Sequence, residues 1–383
     1  MPASHSPTHN ISDTKILWGN IMEFSRRGFL AATLPAGLTG MVAGSAAWGA
    51  VSASDSASAP FAFDAMGELR LEYGDDLLTA MRSSGLSAIT VTLGDPRKYE
   101  EDAYQDALQA LDEYDAHIAD NPHWFIKATR ADDALQAHRD SRIAVFYLFQ
   151  NTTQFGRDLD RVNAFYERGV RSAQMTYNDQ NWAGSGCWEP NDGGLSLFGH
   201  ALVERMNEVS MLIDVSHAGM RTLAETVAAS AVPIINSHAS CRSVHPHIRS
   251  TTDENLRAVA ERGGVTGICQ IRPFLTDRRE GALEAYFAHI DHAVNVCGIE
   301  HVAIGSDRDH RVIEMSEEYL ESLRREMGAA FNDADWPLFI DQLNGPARMN
   351  VIRDGLRARG YSQGDTDKIM GANLLRLYRD VIG

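Results

Sequence analysis

The chain has 383 residues, 44% of them hydrophobic, which suits one large α/β barrel or two ordinary domains and leaves ample material for a core. Its 52 acidic residues against 35 basic ones give a formal charge of -17, which excludes a nucleic-acid partner because phosphate binding requires a basic footprint. Cys187, Cys241, Cys269 and Cys297 show no Cys-x-x-Cys spacing, so a zinc knuckle is excluded. Buried thiols are expected, with one bridge after export left open.

Near the start, Ser25-Arg26-Arg27-Gly28-Phe29-Leu30 matches a twin-arginine export signal. A weakly apolar stretch rich in Ala and Gly follows over 31–50, and Val51-Ser52-Ala53 offers a cleavage site. Pro35 and several glycines make this run a poor membrane span. Residues 1–59 are therefore expected to be signal peptide and linker, handled by the Tat export machinery, and residues 60–383 a folded periplasmic domain.

Beyond Pro60, apolar runs alternate with amphipathic stretches of helical length. The runs cover 61–64, 86–93, 143–149, 170–176, 211–215, 232–235, 264–270 and 302–305. Most are continuous rather than alternating, as strands buried on both faces are. Segments such as 201–207 and 254–260 read as crossover helices. Eight such units predict an α/β fold, a (β/α)8 TIM barrel, with a helical C-terminal extension over 314–383 packed on it. No Gly-x-Gly-x-x-Gly follows the first strand, so nucleotide binding has no support.

In such barrels the working residues lie just past the strand C-termini. Here those positions hold Met66 and Glu68, Gln150, Tyr177 and Asn178, His217, His238, and Asp307. Two imidazoles and a carboxylate, rigidly held at strand ends, are what a metal-assisted hydrolase needs. His245, His247, His301 and His310 read as loop residues. The glycine-rich loop over 184–194, with Trp182 and Trp188, reads equally as a lid or as an ordinary surface loop.

Several strings carry a resemblance. Gly169-Val170-Arg171 precedes Met175-Thr176-Tyr177-Asn178 and Asn181-Trp182-Ala183. Further on stand Asp214-Val215-Ser216-His217, Ser237-His238, His247-Ile248-Arg249, Gly305-Ser306-Asp307 and Gly371-Ala372-Asn373. Together they resemble the membrane (renal) dipeptidase family, amidohydrolase-like barrel enzymes with a two-zinc centre. The resemblance implies that His217 and His238 ligate one zinc and that Arg249 grips a substrate carboxylate. It also implies that Asp307 takes a proton from the metal-held water and passes it to the leaving amine. A dipeptide substrate and a homodimer follow from the same resemblance.

The chain departs from the family on the other half of the centre. The first-strand His-x-Asp is Met66-Gly67-Glu68, the bridging glutamate is Gln150, and the histidine that supports the substrate carbonyl is Tyr177. Methionine is a poor ligand for a hard or borderline dication, and a neutral amide bridges two cations badly. One zinc per chain is therefore expected, held by His217 and His238 and completed by Glu68 or water, with Gln150, Tyr177 and Arg249 on the substrate side. The second expectation is a non-peptidase barrel that binds or matures an exported small metabolite. The third is a packed barrel mouth in which the two histidines are simply hydrogen-bonded.

Overall fold

A computed structural model of the protein describes residues 60–327 and 332–383. The export-signal reading at 1–59 lies outside the described residues. In chain order the strands are β1 (Ala62–Gly67), β2 (Leu86–Thr92), β3 (Phe125–Lys127), β4 (Ile143–Phe149) and β5 (Val170–Gln174). Then come β6 (Leu212–Asp214), β7 (Ile235–Cys241), β8 (Ser250–Thr251), β9 (Val265–Ile268) and β10 (Val302–Ile304).

Eight of these, β1, β2, β4, β5, β6, β7, β9 and β10, pair in parallel around a closed ring, β10 meeting β1 at Asp64 and Ile304. The expected TIM barrel is present; seven staves fall on the apolar runs, and β7 begins only where the run at 232–235 ends. Two short strands carry no such run. β3 lies beside the start of β4, and β8 pairs with the end of β7.

The continuous apolar runs have two faces to bury. Outward residues such as Ile89, Val145, Ile213 and Ile304 join a core with Leu111, Phe165, Leu202 and Ile290 of the surrounding helices. A second cluster joins Phe63, Phe146, Leu212, Ile235, Val265 and Ala303 from the strands to Leu374, Leu377 and Tyr378. Helix Asn373–Ile382 supplies that last set, with Leu374, Leu377, Tyr378, Val381 and Ile382 buried at helical spacing. The Phe63 ring stacks on Phe146 at 5.3 Å and meets Tyr378 at 4.9 Å. This helix closes the end where the strands begin and leaves the opposite end for the site.

The C-terminal expectation needs dividing. Pro337–Gly383 belongs to the same compact unit as the barrel, but Glu314–Trp336 falls in a separate unit. That second unit contains helix Glu317–Met327 and a Tyr319–Trp336 ring contact at 5.8 Å. Among the described residues no helix is long and apolar enough to cross a membrane.

Candidate active site

The sequence-predicted residues sit where strands end. Met66 lies in β1 and Glu68 just past it; Gln150 follows β4; Tyr177 and Asn178 follow β5. His217 stands three residues beyond β6, His238 lies within β7, and Asp307 stands three residues beyond β10. Arg249 immediately precedes β8.

Two of them meet directly. The Nε2 atoms of His217 and His238 lie 2.9 Å apart, a span that two metal–nitrogen bonds of about 2.0–2.1 Å can bridge. The opposite ring nitrogens are engaged from behind. Nδ1 of His217 faces Asn178 Oδ1 at 2.6 Å, and Nδ1 of His238 faces Ser237 Oγ at 2.8 Å. Burial, with the Arg249 cation beside them, holds both imidazoles well below the usual histidine range. Both are therefore neutral near pH 7, the form in which imidazole ligates. The Tyr177 ring stacks on His217 with centroids 4.3 Å apart, so an aromatic face shields that imidazole.

Asp307 is the site's candidate base. Burial pushes its carboxyl up to about 7, Arg249 opposes the rise, and Glu68 adds to it. Its Oδ1 is buried and meets no hydrogen-bond donor among the described residues. A carboxylate titrating near the working pH and keeping a free lone pair suits proton transfer. Arg249 is buried, and its two terminal nitrogens donate to the carbonyls of Ser216 and His238. Its buried Nε meets no acceptor among the described residues.

The other half of the centre is occupied differently. Met66 is fully buried and uses its carbonyl to accept the Asp307 amide at 2.9 Å. Glu68 is in an ion pair with Arg70, which also faces Asp309 at 3.6 Å. Gln150 is buried with its Oε1 unmatched by any donor among the described residues. Among the described residues no set of three or more His, Cys, Asp or Glu side chains converges as a metal cradle. The residues present therefore fit one cation held by two imidazoles and solvent. They do not fit a two-metal centre, because its second seat would draw on a buried thioether, a neutral amide and a carboxylate already neutralised.

The glycine-rich loop is fixed to the barrel. Asp192 accepts from Gly194 N, Arg221 N and Thr222 Oγ1, and Glu225 accepts from Leu195 N. Cys187 N donates to the His217 carbonyl at 2.8 Å and Trp188 N to the Asn178 carbonyl at 2.9 Å. Gly186 must be glycine, since a Cβ there would strike the carbonyls of Asn178 and Tyr177. Trp188 is buried, whereas Trp182 is 45% exposed and donates to Glu100. The four cysteines are free thiols.

Three contributors carried no marker strong enough to single them out in the sequence: Arg70, Asp214 and Ser237. One signal was there. Ser216-His217 and Ser237-His238 repeat the same dipeptide, and both serine hydroxyls bond to Asp214.

Comparison with known proteins supplies the family. An uncharacterized protein in the pqqA 5' region of Klebsiella pneumoniae is 32% identical over 236 residues, covering 59% of this chain and 76% of that protein. The dipeptidase tcpJ of Claviceps purpurea is 26% identical over 258 residues; the match covers 66% of this chain but only 55% of the fungal protein. Among solved structures, an amidohydrolase from Pseudomonas aeruginosa superposes with a TM-score of 0.74 at 27% identity, covering 87% of this chain and 100% of that one. The model of the membrane dipeptidase family matches residues 74–321. The chain thus belongs to Peptidase family M19, the membrane dipeptidases, a family of hydrolases.

Proposed function

We propose that this protein is an exported, single-metal hydrolase that cleaves a dipeptide or a similar small amide bearing a free carboxylate. One observation carries the reading: two neutral imidazoles, buried and fixed from behind, turn their Nε2 atoms on one another at 2.9 Å. At this separation one ring donates its Nε2 proton to the other, or, where both rings carry their proton on Nδ1, a cation joins the two lone pairs. Zinc is the natural occupant of a nitrogen-lined seat whose remaining positions water completes. The chemistry it supplies when bound is polarisation of an amide carbonyl and acidification of a water. Asp307 is the proton acceptor and donor, and Arg249 is the cation that orients the substrate carboxylate. The twin-arginine string supports a periplasmic location, and a homodimer is the arrangement the family resemblance suggests.

Elemental analysis of the exported protein before and after chelation tests this reading, followed by a dipeptide panel. About one zinc per chain, with turnover abolished in Asp307→Asn, is the expected result. Full activity in metal-free protein would refute it.

A second reading has its own observation. The Glu68–Arg70 ion pair, with Met66 and Gln150 nearby, removes the second metal seat on which the family's chemistry depends. On that reading the barrel binds or matures an exported small metabolite without hydrolysing it. It predicts saturable binding of a small carboxylated ligand and no turnover across the same panel.

A further inference from the structure

Asp214 ends β6, is fully buried, and does not reach the pocket's reacting centre through any contact of its own. Its carboxylate accepts from Ser216 N at 3.0 Å and Ser216 Oγ at 2.8 Å, and from Ser237 N at 3.1 Å and Ser237 Oγ at 2.5 Å. Four donors on one buried anion fix it firmly. They also decide the protons around it. A serine hydroxyl has one proton to give, and Ser237 gives its own to Asp214.

Ser237 Oγ also lies 3.0 Å from Ser216 Oγ, and with its proton on Asp214 it accepts from His238 Nδ1, 2.8 Å away. That order of donors puts the ring proton of His238 on Nδ1 and leaves Nε2 as a lone pair facing His217. Ser216 closes the arrangement, because its Oγ accepts from the His238 backbone N at 3.0 Å while donating to Asp214. On the other imidazole, Asn178 Oδ1 takes the equivalent place at 2.6 Å. Both rings are thereby set in the tautomer that a shared cation requires.

We propose that Asp214, acting through Ser237, is the positioning residue that fixes the His238 tautomer and so builds the cation seat; the inference rests on the single-cation reading above. Neither residue touches substrate or metal. Their effect is on which nitrogen of His238 is free, and outer groups of this kind are worth on the order of 10–100-fold in metal affinity.

The test uses the full chain labelled with 15N-histidine, its long-range proton–nitrogen NMR spectrum, and zinc affinity measured against a chromophoric chelator. His238→Gln assigns the His238 signals. In the wild type, His238 is expected to carry its proton on Nδ1. In Ser237→Ala that proton moves to Nε2 and zinc binds on the order of 10–100-fold more weakly, while Asp214→Asn weakens zinc in the same direction. A wild-type His238 protonated on Nε2 overturns the proposal, and so does a folded Ser237→Ala protein that binds zinc as tightly as the wild type. If Ser237→Ala does not fold, the wild-type spectrum alone decides. An Nδ1-protonated His238 in a wild type that takes up no zinc upholds the positioning role and refutes the single-cation reading.

Discussion

The Asp307 amide donates to the Met66 carbonyl at 2.9 Å, tying the end of β10 to the end of β1 while Asp307 itself stands at φ 53°. Aspartate and asparagine tolerate this left-handed region better than other side chains. The strain therefore holds a buried carboxyl, pushed up to about 7 mainly by desolvation, at the mouth of the barrel.

A stability cost follows, and its sign is fixed. The folded value lies above the ordinary 3.8, so the stability Asp307 contributes is complete below about pH 4 and is lost as pH rises through 7. The difference corresponds to about 4 kcal/mol as an upper bound. Asp307→Asn keeps the backbone preference and avoids the loss. It is expected to melt above the wild type at pH 8 and level with it at pH 4, with turnover down about 100-fold or more. Thermal melts at the two pH values decide the matter; a lower melting point at pH 8 contradicts the assignment.

Arg70 controls whether the second half of the family centre can be rebuilt. Because it holds the Glu68 carboxylate, Met66→His with Gln150→Glu is expected to leave zinc at about one per chain. Adding Arg70→Met frees Glu68, and zinc content should rise toward about two. Equal metal content in the two variants would show that the ion pair is not the obstacle.

Tyr177 supports His217 by ring contact. Tyr177 is only 5% exposed, so Tyr177→Ala should leave a cavity and cost about 3–5 kcal/mol in urea unfolding. Tyr177→Phe keeps the stacked ring and should stay within about 1.5 kcal/mol of the wild type. A large loss in the phenylalanine variant would shift the weight from the ring to the hydroxyl.

The loop beside the histidines behaves as a wall because Asp192 caps helix Met220–Ala229 from the loop side. Asp192→Ala should lower stability by about 1–2 kcal/mol and accelerate amide hydrogen exchange over 184–195. Exchange there that is already fast in the wild type would instead mark the loop as a lid.

The barrel was legible because most of its buried strands are largely apolar; β7, Ile235-Asn236-Ser237-His238-Ala239-Ser240-Cys241, was caught only at its first residue because its buried positions are mostly polar. β3 and β8 were missed for the converse reason: Phe125–Lys127 and Ser250–Thr251 are too short and too polar to form a run. His217, His238 and Asp307 stood out because ligand-type residues at strand ends are chemically conspicuous. The grip of Arg70 on Glu68 and the convergence of Ser216 and Ser237 on Asp214 depend on where side chains turn after folding, which no periodicity records. The extension was read as one segment, yet Glu314–Trp336 falls in a unit separate from the barrel's, a division that the helical pattern of Glu317–Met327 does not reveal.

One of the two thinnest joints in the ring, each registered at a single residue pair, lies between the two histidine strands. β6 is three residues long and pairs with β7 at Asp214 and Ile235, with Val215 N reaching the Ile235 carbonyl at 3.0 Å. A cation shared by His217 and His238 would staple this seam from above. Its removal should loosen these two staves before any others, so that metal occupancy and the local opening of the barrel are read in the same free energy.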